Sequence, residues 1–247
     1  VYSGGYYLAM TEAQPGKLYA STYTYQNSNY LSYSSNEGTS WQAVTISGIP
    51  ANTSTYSTYG YVAALNTNTL FLFLNNDHST LGFREVYKIE LSGTTTGTAT
   101  LVYSESEDFN FRNFFVQDGK VYLATNSDVY YSADQGTTWD SFSFESSAVF
   151  PITGGICLSS NGSAYVTQDD GKSFSSGALP KSDSYINDIA EDTNGDFFAV
   201  GYRSVALKNT AELVVDPGTL PPYIDFDWQP LSAPAGGRNV PLTSNPA

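Results

Sequence analysis

The stretch Ser132-Ala133-Asp134-Gln135-Gly136-Thr137-Thr138-Trp139 follows an alternating run, Asp128-Val129-Tyr130-Tyr131, and ends in a large aromatic residue. This pattern predicts a strand, a tight turn and a second strand. The Asp134 carboxylate can accept hydrogen bonds from backbone N–H groups two or three residues further on. Gly136 can adopt the positive φ that such a turn needs. Trp139 then anchors the next strand by burying its rings.

The same pattern occurs twice more in the chain. Residues 34–41 read Ser-Ser-Asn-Glu-Gly-Thr-Ser-Trp, and residues 167–174 read Thr-Gln-Asp-Asp-Gly-Lys-Ser-Phe. We call the three segments box turns. Their first, third, fifth and eighth positions hold a hydroxyl residue, Asp or Asn, Gly, and Trp or Phe: Ser34, Asn36, Gly38 and Trp41; Ser132, Asp134, Gly136 and Trp139; Thr167, Asp169, Gly171 and Phe174.

The pattern Ser/Thr-x-Asp-x-Gly-x-x-Trp/Phe resembles the Asp-box, or BNR repeat, of sialidase-like β-propellers. The resemblance implies that each box turn is a structural turn on the rim of a blade, away from the ligand. Sialidases, other glycosidases, assembly factors and sorting receptors all carry this repeat. It therefore indicates a fold more than it indicates an activity.

The rest of the sequence agrees with an all-β propeller. Short alternating segments are separated by Gly, Asn and Asp turns, with no convincing helical period. We predict four-stranded antiparallel blades over residues 1–231, five in number with six as the alternative, and an extended Pro/Gly/Ser-rich tail at 232–247. The third residue past each unit's first turn forms a repeated slot, for which we predict packing between blades: Tyr19, Phe71, Tyr122, Cys157 and Phe198.

Two units depart from the pattern. In the second unit, Asn75-Asn76-Asp77-His78 is interpreted as a decayed box turn. The first unit follows the pattern, and Trp41–Ile46 is expected to form its fourth strand. In the fifth unit, Trp228 is interpreted as the anchor of the fourth strand, displaced by an insertion.

The charge balance excludes several partners. The 247-residue chain has a formal net charge of -14, and only 14% of its residues are charged. Nucleic acids and anionic membrane surfaces both select for Lys and Arg, so neither is an expected partner. No run of 18 apolar residues predicts a transmembrane segment. A surface rich in Tyr, Ser, Thr and Asn is typical of extracellular proteins, and we expect a secreted or cell-surface location.

The residues that catalysis would need are poorly represented. The resemblance to sialidases implies three arginines that clamp a carboxylate, a Tyr nucleophile paired with Glu, and an acidic Asp. The chain has four arginines, Arg84, Arg112, Arg203 and Arg238, and we place only Arg112 where a first strand reaches the central face. A glycosidase needs two facing carboxylates, and no motif pairs Asp188 with Glu107 or Asp108.

Metal and cofactor sites are not predicted. His78 is the single histidine, Cys157 lies in an apolar segment, and no dinucleotide or phosphate motif is present. The Asp169-Asp170 pair is better explained as part of a turn than as a calcium site.

The sequence does predict one surface that could bind a ligand. The first strands of propeller blades converge near the axis, and the residues at their beginnings form our predicted ligand face: Tyr59, Phe111, Arg112, Tyr185, Asn187 and Asp188. Tyr6 and Tyr61, also in this region, are expected to pack between blades. Aromatic rings beside Asn, Asp and Arg suit recognition of a sugar or a peptide.

The sequence thus favours a non-catalytic extracellular module that recognises a glycan or a protein, or that packs into a larger surface assembly. A glycoside hydrolase of sialidase-like fold is the first alternative. An assembly factor resembling the photosystem II stability factors is the second, suggested only by the shared repeat.

Overall fold

The structure is a computed structural model, and it describes residues 7–22, 29–50, 58–76, 84–105, 110–160 and 163–178. It also describes the backbone of four strands at 186–191, 197–201, 207–209 and 228–230. Tyr6, His78, Glu107, Asp108, Tyr185, Arg203, Arg238 and the predicted tail lie outside these ranges.

The strands form five sheets, numbered here in chain order. Sheet 1 contains β1 (Tyr7–Gln14), β2 (Lys17–Thr22), β3 (Leu31–Ser34) and β4 (Gln42–Ala43). Sheet 2 contains β5 (Thr45–Ser47), β6 (Thr58–Asn66), β7 (Thr69–Asn76), β8 (Arg84–Leu91) and β9 (Thr96–Glu105). Sheet 3 contains β10 (Phe111–Gln117), β11 (Lys120–Thr125), β12 (Asp128–Ser132) and β13 (Asp140–Ser143).

The last two sheets follow the same order. Sheet 4 contains β14 (Ala148–Ile152), β15 (Gly155–Ser160), β16 (Ser163–Thr167) and β17 (Ser175–Ala178). Sheet 5 contains β18 (Ile186–Glu191), β19 (Phe197–Gly201), β20 (Leu207–Asn209) and β21 (Trp228–Pro230).

The sheets are arranged as a propeller. The first long strand of each sheet contacts that of the next, so that β1, β6, β10, β14 and β18 lie side by side in that order. Within the described residues every regular element is a strand, and no helix there is long and apolar enough to cross a membrane.

The predicted four-stranded blade is found in four sheets, and the second sheet differs. The segment expected to be one fourth strand divides at Val44, whose side chain is buried between sheets 1 and 2. Before Val44, β4 pairs with β3; after it, β5 pairs in parallel with β9 of the next sheet. Burial of Val44 thus directs the chain across the boundary and gives sheet 2 a fifth strand.

The core lies between consecutive sheets. Tyr19, Phe71 and Tyr122 occupy the predicted slot, and they are buried in the clusters that join sheets 1 and 2, sheets 2 and 3, and sheets 3 and 4. Cys157 is also buried, and burial raises the pKa of its thiol to about 12. For Phe198 the structure gives only the strand position.

The box turns connect the third and fourth strands of sheets 1, 3 and 4. In sheet 2 the corresponding connection joins β8 to β9 and runs from Leu91 to Thr96. Asn75 and Asn76 instead end β7, at the opposite end of the sheet. The interpretation of residues 75–78 as a decayed box turn was therefore wrong. In sheet 5, β21 pairs with β20 through Asn209 and Trp228, so Trp228 does begin a fourth strand after an insertion.

Candidate functional site: the box turns and the axial face

The box turn of sheet 3 is closed by hydrogen bonds of the Ser132 and Asp134 side chains. The Ser132 hydroxyl donates to Asp134 Oδ1 at 2.9 Å and accepts from the backbone N–H of Gly136 at 2.7 Å. Asp134 Oδ1 also accepts from the N–H of Thr138 at 2.8 Å, and Asp134 Oδ2 accepts from the Thr138 hydroxyl at 2.7 Å. The backbone donor to the carboxylate therefore lies four residues on, not two or three as the sequence suggested.

The other two box turns repeat this network. Thr167 and Asp169 make the same bonds to Gly171 and Ser173, and in sheet 1 the amide oxygen of Asn36 accepts from the N–H of Ser40 at 2.9 Å. The seventh position was missed in the sequence, although all three copies carry a hydroxyl residue there: Ser40, Thr138 and Ser173.

Hydrogen bonding keeps these carboxylates ionised. The N–H of Thr138, with its hydroxyl, lowers the pKa of Asp134 below the ordinary value. Burial acts in the opposite direction on Asp169, but the hydroxyl and N–H of Ser173 outweigh it, so the pKa of Asp169 is also lowered.

Each of the later box turns packs against the preceding sheet. The Trp139 indole Nε1 donates to the carbonyl oxygen of Val102 at 3.0 Å, and a Cβ at Gly136 would lie 2.7 Å from Val102 Cβ. In the next turn a Cβ at Gly171 would overlap the ring of Phe142. Glycine is needed in both turns for close approach as well as for its positive φ.

Asp170 links sheets 3 and 4. Its carboxylate accepts from Lys120 Nζ at 2.6 and 2.8 Å and from the Tyr122 hydroxyl at 3.1 Å. The two neighbouring carboxylates thus have separate structural partners, Asp169 within its turn and Asp170 across the boundary. Within the described ranges no three His, Cys, Asp or Glu side chains are grouped as metal ligands would be.

The end of the propeller opposite the box turns is where the first strands begin, and we call it the axial face. Three first strands have a β-bulge at their second residue: the register shifts at Leu8 in β1, Arg112 in β10 and Asn187 in β18. A bulge inserts an extra residue and redirects the side chain. Arg112 is exposed at its bulge, which places an accessible cation on the predicted ligand face.

The other predicted ligand residues have different surroundings. Phe111 lies 4.2 Å from the ring of Tyr61 and 5.2 Å from that of Phe73, measured between centroids, so it packs between sheets 2 and 3. Tyr59 is half-buried near the start of β6. Asn187 and Asp188 lie in β18, for which only the backbone is described.

A polar row that the sequence did not reveal runs outward from Tyr59 along sheet 2. Tyr59 pairs with Asn75, Asn75 with Arg84, and Arg84 with Glu105, so one residue of each of the four antiparallel strands lies in a single line. Arg84 is only 5% exposed. Asn75 Oδ1 is buried and has no hydrogen-bond partner in the described part of the chain.

Sheet 2 also contains a Tyr–Glu pair. The Tyr87 hydroxyl donates to Glu85 Oε2 at 2.7 Å, but Tyr87 is buried in a third strand and does not lie at the axis. Burial, followed by the bond to Glu85, raises the pKa of Tyr87 well above its ordinary value. This tyrosine stays protonated, which is the opposite of what a nucleophile requires.

Sheet topology, box turns and axial face together define a β-propeller. Comparison with solved structures agrees: the chain is similar in fold to YCF48 from Cyanidioschyzon merolae, with a TM-score of 0.62 and 9% identity over 96% of this chain and 75% of that one. A Trypanosoma rangeli sialidase in complex with DANA gives a TM-score of 0.40 at 14% identity, covering 81% of this chain and 46% of the sialidase. The likeness to YCF48 shows the fold alone.

No protein-family model matches the sequence. No curated protein matches it either.

Proposed function

We propose that this protein is a non-catalytic binding module whose axial face holds a glycan or a protein partner. The observation that carries the proposal is the exposed guanidinium of Arg112 at a β-bulge in β10. An innermost strand gains a bulge and an accessible cation at the same residue, and bulges are frequent beside binding sites.

Two further features support this face. Tyr59 offers a half-buried ring at the start of β6, and Asn187 occupies in β18 the bulge position that Arg112 occupies in β10. A ring for stacking, an amide and a guanidinium are the groups that recognise sugars and extended peptides. Burying an exposed arginine against a partner also supplies up to five N–H donors in a fixed geometry.

Several finer points belong to the same proposal. The box turns are Asp-boxes, and the protein is secreted or displayed on a cell surface. The low proportion of charged residues and the abundant Tyr, Ser and Thr support an extracellular location. The repeated bonding of the three box turns supports their assignment as Asp-boxes.

The test compares Arg112→Ala with Lys172→Ala. Both remove an exposed cation, but Lys172 lies in a box turn, at the opposite end of its sheet. Binding to a glycan array and to surface proteins captured by cross-linking is measured for both variants and for the wild type. We expect Arg112→Ala to weaken binding about tenfold or more, as for loss of one bidentate arginine contact, and Lys172→Ala to leave it unchanged.

Two outcomes would overturn the proposal. Equal losses in the two variants would show that general charge, not the axial face, drives binding. Hydrolysis of an aryl glycoside by the wild type, abolished by Asp188→Asn, would favour the glycoside hydrolase alternative.

A further inference from the structure

The polar row of sheet 2 lies next to an aromatic layer at the axial face. Residues two apart in a strand point to the same side of the sheet, so the row shares its side with a line of residues in the core cluster between sheets 2 and 3: Tyr61, Phe73, Val86 and Tyr103. Phe111 of β10 packs on the rings of Tyr61 and Phe73. The row and the bulge that carries Arg112 therefore lie on adjoining sheets at the same end of the propeller.

One atom of the polar row lacks the hydrogen bond that burial normally requires. Asn75 Oδ1 is buried and accepts no hydrogen bond in the part of the chain that the structure describes. Buried acceptors of this kind are uncommon in folded proteins, because the lost contact with water is costly unless a donor replaces it. A bound molecule that supplies the missing donor would account for this atom.

The surroundings of Asn75 restrict what that donor can be. An ionised carboxylate has acceptors and no donor, so an anionic group cannot satisfy Oδ1. An ammonium group would meet the positive charge of Arg84, which pairs with Asn75 and is 5% exposed, whereas Glu105 lies one strand further out. A peptide N–H is flanked by two Cα atoms and reaches a recessed oxygen less easily than a terminal group does. A neutral hydroxyl meets all three conditions.

We propose that the ligand of the axial face is a neutral sugar, which donates a hydrogen bond from one hydroxyl to Asn75 Oδ1 and stacks on the ring of Tyr59. Tyr59 pairs directly with Asn75 and is half-buried. Side chains at facing positions have Cβ atoms about 4.5–5.5 Å apart, which suits a pyranose with its apolar face beside one of its hydroxyls. Side chains at binding surfaces commonly change rotamer on binding, and rotation of Tyr59 admits the hydroxyl. This inference rests on the proposed function, because it names the ligand class of the same face.

The first experiment uses the wild-type full chain. Binding is measured to an array of neutral oligosaccharides, to counterparts that carry a carboxylate, and to extended peptides. The hydroxyls of the neutral oligosaccharide that binds best are then removed one at a time in deoxy analogues. We expect one of these analogues to bind about tenfold more weakly or worse, since a site built around a hydroxyl rejects a ligand that lacks it.

The matching variant is Asn75→Leu, because leucine has the same branched shape and no acceptor. We expect this variant to bind the complete oligosaccharide about tenfold more weakly and to bind the complete and deoxy forms equally. Its melting temperature should stay close to that of the wild type, because the acceptor that it removes has no bond to lose. Asn68→Leu is the control, since Asn68 is exposed at the opposite end of sheet 2, and it should leave binding unchanged.

The possible results separate this inference from the proposed function. Wild-type binding confined to the carboxylate-bearing oligosaccharides or to the peptides, and weakened by Arg112→Ala, would overturn the neutral sugar and leave the proposed function in place. Equal binding of all deoxy analogues would also overturn the neutral sugar, and this result needs only the wild-type chain, so it decides the matter even where Asn75→Leu does not fold. Binding that Arg112→Ala does not weaken would overturn both.

Discussion

The indole Nε1 of Trp139 donates a hydrogen bond to the carbonyl oxygen of Val102, and this bond joins the box turn of sheet 3 to the outer strand of sheet 2. We predict that Trp139→Phe destabilises the protein by about 1 kcal/mol, the usual contribution of one hydrogen bond. The ring contact with Tyr103 should survive, because Phe174 fills the same position in sheet 4. Urea denaturation would measure the change, and a loss as large as that of Trp139→Ala would show that the hydrogen bond is not what matters.

A comparison of Gly136 with Gly119 separates two reasons why a turn needs glycine, a positive φ and a lack of space for a Cβ. Both have positive φ, at 90° and 78°, but a Cβ would meet Val102 at Gly136 and nothing within 4 Å at Gly119. Alanine at either position costs about 1–2 kcal/mol for the left-handed backbone, and Gly136→Ala adds about 1–3 kcal/mol of overpacking.

Denaturation of the two alanine variants in parallel would measure the difference. Val102→Ala in the Gly136→Ala background should recover part of the loss. Equal stabilities for Gly119→Ala and Gly136→Ala would contradict the close approach of the box turn to sheet 2.

Asp134 should make the stability of the folded protein fall as the pH is lowered. Its folded-state pKa is lowered, so the stability it contributes is complete above the ordinary aspartate pKa of about 3.9 and disappears as the pH falls through the folded value. Asp134→Asn should melt near the wild-type temperature at neutral pH, because Asn36 closes the same turn in sheet 1. Its amide oxygen accepts from the N–H of Ser40, and its amide nitrogen donates to the Ser40 hydroxyl. The variant should then lose less stability on acidification.

Thermal melts of the wild type, Asp134→Asn and Asp134→Ala across this pH range would test the prediction. Asp134→Ala should melt lower than both at neutral pH, since the Thr138 N–H loses its acceptor. Identical acid profiles for wild type and Asp134→Asn would assign the pH dependence to other groups.

Lys120 and Lys88 allow two ion pairs to be compared. Lys120 bonds to Asp170 between sheets, where the side chains are 31% and 19% exposed, whereas Lys88 pairs with Glu90 within one sheet and Glu90 is 57% exposed. Lys88→Met should change stability by about 0–1 kcal/mol. Lys120→Met should cost about 1–3 kcal/mol, because a partly desolvated carboxylate loses its charged donor.

Denaturation at low and high salt would distinguish the pairs, since salt should reduce the effect at Lys88 more than that at Lys120. An equal and small effect for both variants would show that Asp170 does not hold sheets 3 and 4 together.

Local signals predicted most of the strands and the three box turns. Alternation of side chains, and a hydroxyl, Asp or Gly at fixed spacing, are properties of a few consecutive residues, so they are visible in the sequence. The slot at Tyr19, Phe71 and Tyr122 could be found in the same way, because it repeats at a fixed distance from a turn.

Features that depend on a neighbouring sheet could not be predicted. The parallel pairing of β5, the bond from Lys120 to Asp170 and the packing of Phe111 against Tyr61 join residues far apart in sequence. The bulge at Arg112 has no local signature, because the sequence around it reads as an ordinary strand. The prediction placed Arg112 near the axis, but only the register shows that it is an inserted residue.

The parallel strand β5 also bears on self-association. β9 is the longest strand of the protein's described part, with ten residues, and it would otherwise present an open row of backbone donors and acceptors to other molecules. By laying Thr45–Ser47 along Thr96–Thr98, the chain occupies one end of that row with its own backbone. The segment that leaves sheet 1 thus protects this end of the β9 edge from edge-to-edge pairing with other molecules, a hazard that grows with strand length and with protein concentration.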